Sequence, residues 1–232
     1  MKYEGVIFDL FGTLVPSVTP ELYNASLRKT AEAVGADFEA FHGVWADKEM
    51  VRRRMTGAYA SQAEAVLDVS RRLGLSPAPQ ALRRAAELRA EGVRMWIRPR
   101  PDAVGVLERL RSAGLKLGMM SVCSADTPIA WVDTPLAGRF DAELFSCVEG
   151  LTKPDPRFYA RTCERLGVQL PGILYVGDGF DRELTGAREF GLDAVLICPP
   201  DEESIILARE DARTWSGRRI ASLSEVANIV GC

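Results

Sequence analysis

The chain has 232 residues, 47% of them hydrophobic and 26% charged, the values of a globular protein rather than a disordered, collagenous or small disulfide-stapled one. With 29 Lys/Arg against 32 Asp/Glu, its net charge of −3 excludes a general nucleic-acid binder. The sequence holds no apolar run of the roughly 18 residues that a membrane span needs.

Val6–Leu10 is the first of several short apolar runs that read as strands buried on both faces. It follows Met1–Gly5 too abruptly for a signal peptide, and a cytoplasmic protein is expected. Four helical patterns come next: Leu22–Gly35, Phe38–Gly57, Gln62–Gly74 and Pro79–Arg94. Each carries apolar residues at three- and four-residue steps, with Gly or Pro near an end. Ala103–Ala113 is a further helix, stopped by Gly114, and Leu115–Ser121 a second strand. Leu144–Val148, Ile173–Gly177, Ala194–Ile197 and Arg219–Leu223 complete the strands. Helices over Phe158–Leu166 and Glu183–Phe190 separate them, each followed by Gly. This alternation predicts an α/β fold, a doubly wound, Rossmann-like parallel sheet covered by helices on both faces.

One connection is far longer than the rest. Thr13 and Ser121 are 108 positions apart, whereas a parallel crossover needs only about a dozen residues or more. The excess reads as a helical cap inserted at residues 16–98, bounded by Pro16/Pro20 and Pro99/Pro101, into a core formed by residues 1–15 and 99–232. Residues 16–100 hold 14 Lys/Arg and 10 Asp/Glu, which leaves the remainder at −7. A basic cap over an acidic core suits a small anionic substrate bound with a metal cation, although a solvated helical surface is often mildly basic. The five cysteines have no CxxC spacing and read as reduced thiols.

Polar groups collect at the carboxyl ends of the strands. Asp9 ends the first and Ser121 the second; Lys153 follows the third, and Asp178 ends the fourth. In an open parallel sheet these ends share one edge, and ligands bind there. Two carboxylates can hold Mg²⁺ through hard oxygen ligands, an ammonium offsets their charge, and a hydroxyl can donate to a phosphate oxygen.

Asp9-Leu10-Phe11-Gly12-Thr13-Leu14-Val15 resembles the first motif of the haloacid dehalogenase-like (HAD) hydrolase superfamily. Leu117–Ser121, Lys153-Pro154-Asp155-Pro156 and Gly177-Asp178-Gly179-Phe180-Asp181-Arg182-Glu183 resemble the second, third and fourth, in the family's order. The inserted helices resemble its type 1 cap. The resemblance implies Asp9 as nucleophile, with Ser121 and Lys153 binding the transferring group. It implies Mg²⁺ held by Asp9, the Phe11 carbonyl and Asp178, with Glu183 reaching the ion through water, and a tight turn at Gly12 and Thr13 beside the nucleophile. Two positions depart from the pattern. Family phosphatases usually carry Asp as general acid where this chain has Phe11, and many members have Asn where it has Val122. An aromatic at position 11 is the pattern of the dehalogenases, whose halide leaves without a proton; those enzymes generally lack an acid at the Asp178 position. The expected activity is hydrolysis of a small phosphate monoester. The alternatives are 2-haloacid dehalogenation and a weakly active or non-catalytic binding role.

In the cap, Arg54, within Arg52-Arg53-Arg54, is the candidate contact for a substrate anion, with Tyr59 nearby. A solvated helix end explains the run equally well. His42, the only histidine, reads as structural but is also the most obvious replacement for the missing acid. Asp181 reads equally as an N-cap. A monomer or homodimer, acting on a small molecule and on neither nucleic acid nor membrane, is expected.

Overall fold

The computed structural model describes residues 2–232. Six strands form one all-parallel sheet in the order β3-β2-β1-β4-β5-β6. They are β1 (Gly5–Phe8), β2 (Lys116–Ser121), β3 (Ala142–Phe145), β4 (Ile173–Gly177), β5 (Asp193–Ile197) and β6 (Arg218–Ile220). The expected doubly wound sheet is therefore present. Strand residues alternate between two apolar clusters, as a sheet covered on both faces requires. Val6, Phe8, Leu117, Met119, Leu174 and Val176 pack on one side. There they meet α6 (Ala103–Ser112) and α13 (Glu225–Val230) through Leu107, Leu110, Val226 and Val230. Ile7, Met120, Ile173 and Tyr175 face the other way, toward α9 (Pro156–Leu166) and α10 (Glu183–Phe190). Short helices α7 (Asp126–Trp131), α11 (Glu203–Leu207) and α12 (Glu210–Thr214) fill the remaining connections.

The third strand ends earlier than its apolar run. Ser146–Glu149 is a helical turn, α8, closed by Gly150 in the left-handed region. The Ser146 hydroxyl accepts from Cys123 N at 2.9 Å and donates to Cys123 O at 3.2 Å. Those bonds tie the chain to the loop after β2 instead of prolonging the ladder.

Between β1 and α6 the chain forms five helices: α1 (Pro20–Ala33), α2 (Phe38–Trp45), α3 (Lys48–Met55), α4 (Gln62–Arg72) and α5 (Pro79–Trp96). The single helix expected over 38–57 is two. Asp47 breaks it, its carboxylate accepting from the backbone N–H groups of Glu49 and Met50 at 3.1 and 3.2 Å and so capping α3. These helices enclose an apolar cluster of their own, including Leu27, Phe41, Trp45, Val66 and Ala85. α1 and α5 approach closely at Gly92, where a Cβ would lie 2.4 Å from Ser26 Oγ. The far end of α5 joins the sheet's cluster through Val93 and Ile97.

The two chain segments that lead into and out of these helices meet beside the end of β1. Arg100 N donates to Leu14 O at 2.9 Å. The Arg100 guanidinium donates to Thr13 O (2.8 Å), Gly12 O (2.9 Å) and Glu202 Oε1 (2.6 Å). Glu202 Oε2 in turn accepts from Ser17 N at 2.7 Å. All five cysteines are free thiols. No helix among the described residues is long and apolar enough to cross a membrane.

Candidate active site

β1 lies between β2 and β4, the point where the strand order reverses and where open α/β sheets bind ligands. Asp9 continues β1, its N–H donating to Val176 O at 2.9 Å, so its carboxylate stands at the sheet edge. The chain then turns through Leu10–Val15, closed by Val15 N to Leu10 O at 3.0 Å and Gly12 N to Val15 O at 2.8 Å. Gly12 has φ +84°, and a Cβ there would fall 1.6 Å from Asp178 Oδ2. Only glycine permits both this turn and the approach of Asp178.

Four of the expected residues converge here. Lys153 Nζ donates to Asp9 Oδ1 at 2.5 Å and to Glu183 Oε2 at 2.6 Å, and all three side chains are buried. Glu183 Oε2 also accepts from Tyr175 OH (2.6 Å), and Oε1 accepts from the N–H groups of Asp178 and Gly179 (2.7 and 2.9 Å). Both Glu183 oxygens are thus engaged twice, which fixes the ammonium and the 178–179 turn. Burial pushes the Asp9 carboxyl up to about 6, with Lys153 opposing and Glu183 reinforcing the rise. For Lys153, burial is outweighed by Asp9 and Glu183, which hold its ammonium well above the ordinary value.

Ligand oxygens of Asp9, Asp178 and Glu183 lie within 4.8 Å of one another. Asp9 Oδ2 and Asp178 Oδ2 are buried without a hydrogen-bond partner. Arg209 Nη1 touches Asp178 Oδ2 as an ion pair, without hydrogen-bond geometry. Asp9 Oδ2 has no donor and Asp178 Oδ2 has only the Arg209 contact, and hard oxygens gathered in this way suit Mg²⁺, because a buried carboxylate oxygen needs either a donor or a cation. Ser121, at the end of β2, is buried, and its Oγ has no partner, so its hydroxyl is free to donate to a ligand oxygen. Thr13 is fully buried with its Oγ1 likewise unpartnered.

A cavity of about 230 Å³ opens above these groups, between sheet edge and helices. Asp9, Lys153 and Glu183 line one end; Tyr23, Arg89 and Trp96 from the helices line it as well. Phe11 and Val122 both face it, so the two departures from the family pattern contribute apolar wall. Arg54 is elsewhere. It is buried behind Trp45, its guanidinium carbon 3.9 Å from a Trp45 ring centroid and its Nη2 donating to Trp45 O at 2.9 Å. Tyr59 bonds to Asp68 and Met50, and His42 packs on Phe38; neither lines the cavity.

Three charged wall residues were not singled out from the sequence: Arg89, Asp126 and Arg209. Arg209 falls between α11 and α12, where no motif marks it. Arg89 had a signal. It sits at the middle of Ala85, Arg89 and Val93, a four-residue stripe that is otherwise apolar.

The family model for haloacid dehalogenase-like hydrolases matches residues 3–191. The glyceraldehyde 3-phosphate phosphatase of Methanopyrus kandleri is 29% identical over 202 residues, covering 84% of this chain and 83% of that one. The (S)-2-haloacid dehalogenase 4A of Burkholderia cepacia is 28% identical over 208 residues, 85% of each. The solved L-2-haloacid dehalogenase of Xanthobacter autotrophicus with covalently bound chloropropionic acid superposes with a TM-score of 0.65. It is 25% identical, covering 99% of this chain and 98% of that one.

Proposed function

Since the chain belongs to the haloacid dehalogenase-like hydrolases, we propose that it hydrolyses a small phosphate monoester with Mg²⁺ through a phosphorylated Asp9. The observation that carries this reading is the gathering of three buried carboxylates, Asp9, Asp178 and Glu183, in which Asp9 Oδ2 and Asp178 Oδ2 accept no hydrogen bond. Metal-free halide displacement calls for no acid at the Asp178 position, whereas binding a cation does.

The Asp9 carboxylate attacks phosphorus while Lys153, bonded to its Oδ1, neutralises it. The bond from phosphorus to the ester oxygen breaks, and the leaving oxygen takes its proton from water to depart as the alcohol. Ser121 Oγ donates to a non-bridging phosphate oxygen, and Lys153 adds positive charge where negative charge accumulates. Water then attacks phosphorus, releasing phosphate and restoring the Asp9 carboxylate. Mg²⁺, held by Asp9, Asp178 and the Phe11 carbonyl with Glu183 behind them, supplies charge stabilisation of the phosphoryl oxygens when bound. Phe11 carries no proton to give the leaving alcohol, so turnover of alkyl esters is slow.

Asp9→Asn is expected to abolish phosphate release from a panel of monoesters while the protein stays folded, and EDTA to abolish it in the wild type. Turnover that survives Asp9→Asn sinks the mechanism. Phe11 favours a second reading, dehalogenation of a small 2-haloacid. Halide release in the presence of EDTA would select it.

A further inference from the structure

Arg89 is 2% exposed, yet it lines the cavity from the helical side. Its partners are distant: Asp126 Oδ2 and Ser26 Oγ each lie 3.5 Å away, and its Nε has no partner. Asp126 is better engaged elsewhere, accepting from Ser124 Oγ at 2.7 Å and Gln62 Nε2 at 3.1 Å. The rings of Tyr23, Trp45 and Trp96 surround the Arg89 guanidinium at 5.1–5.5 Å. Behind Trp45, Arg54 is buried too, with Nε and Nη1 unpartnered and no ion pair among the described residues. Arg89 at this end of the cavity, and Arg54 behind its wall, are therefore two buried guanidiniums near one carboxylate, Asp126. Aromatic faces offset part of the cost of a buried cation, but an orphaned guanidinium donor remains expensive until an anion meets it.

We propose that this end of the cavity is a second anion subsite built on Arg89, and that the substrate is a short carboxylic acid bearing its phosphate ester at the other end. The inference rests on the phosphatase reading and deepens it. Lys153 and the cation bind the phosphate at the sheet edge, and Arg89 binds the carboxylate under the helices. The cavity's lining includes the apolar side chains of Phe11, Val18, Val93, Val122 and Trp96, which suit a short carbon chain. A carboxylate matches the planar fork of arginine, and the distant pairing with Asp126 leaves that fork accessible.

Two phosphonates of equal length that cannot be hydrolysed, 3-phosphonopropionate and propylphosphonate, are titrated against the whole protein with Mg²⁺ by tryptophan fluorescence. Wild type is expected to bind the carboxylate-bearing phosphonate about tenfold tighter or more, the worth of one charge-assisted bond. Arg89→Met is expected to erase that advantage while leaving the affinity for propylphosphonate nearly unchanged. Arg89→Lys keeps the charge without the fork and is expected to retain part of it, which serves if Arg89→Met does not fold. Equal affinities in the wild type, or an advantage that persists in Arg89→Met, overturns the subsite while the phosphatase reading stands. If neither phosphonate binds, both readings fall.

Discussion

Residue 11 decides how fast the chemistry can run. Its ring lines the cavity two positions after the nucleophile, where proton donation to a leaving alcohol would be needed. Phe11→Asp is expected to raise kcat on alkyl phosphates by about 10²-fold or more, the lower end of what general acid catalysis contributes. An aryl ester such as p-nitrophenyl phosphate, whose leaving group needs no proton, is expected to gain far less. The ratio of the two kcat values measures the effect, and a ratio unchanged by the substitution would show that the proton comes from elsewhere. At this scale the strand-end residues were legible. Strand period and glycine punctuation put Asp9, Ser121, Lys153 and Asp178 at one edge, with complementary chemistry, and the family resemblance adds Glu183. What the sequence did not convey is how Glu183 spends its oxygens, because hydrogen-bond partners such as Tyr175 come from packing rather than from spacing. The basic run points to Arg54, yet the guanidiniums that line the cavity are those of Arg89 and Arg209. A charge on a helix is ordinarily solvated, and only the register of the buried stripe marks one that is not.

At the level of elements, the segments flanking the helical insert are clamped by Arg100 and Glu202. Glu202 is buried, but the Arg100 guanidinium and the Ser17 N–H hold its carboxyl below the ordinary value of 4.5. A carboxyl lowered in the folded state stabilises above its unfolded value and loses that contribution as pH falls through the folded one. Glu202→Gln is thus expected to cost about 3 kcal/mol near neutrality, because it strands Arg100 as a buried cation. Its deficit in Tm relative to wild type is expected to shrink only below about pH 4.5. A deficit that is constant from pH 7 to about pH 3 would mean the carboxylate's charge is not what holds the segments. The clamp was half visible in the sequence: the prolines on either side of Arg100 marked a boundary, but nothing linked it to Glu202, 102 positions away. Helix breaks follow the same pattern. Gly and Pro stops were read correctly, whereas Asp47, which ends one helix by capping the next, lay inside a continuous apolar period.

For the whole molecule, α5 is the member that belongs to both apolar clusters: Ala85 sits in that of the helices and Val93 in that of the sheet. A rigid helix spanning two cores couples their unfolding. Trp45 reports on the helices, and Trp131 and Trp215 on the sheet, so chemical denaturation followed by each tryptophan separately is expected to give coincident transitions. A transition at lower denaturant for Trp45 alone would show that the helices unfold independently. The architecture at this scale was the most legible part of the chain. Alternating strands and helices constrain a parallel sheet strongly, since few arrangements cover both faces of every strand.

The single hydrogen bond between Leu14 and Arg100 has a further meaning. Seen from the sheet, everything between those two residues is one loop whose ends already meet. The entropy of closing a loop grows only by about 0.6 kcal/mol for each doubling of its length. Changes of length within that loop therefore cost the sheet little entropy, provided that α5 keeps Val93 in the sheet's cluster. Grafting at these two residues thus gives chimeras in which the helical part of the cavity wall changes while the Leu10–Val15 turn and Asp9 are retained.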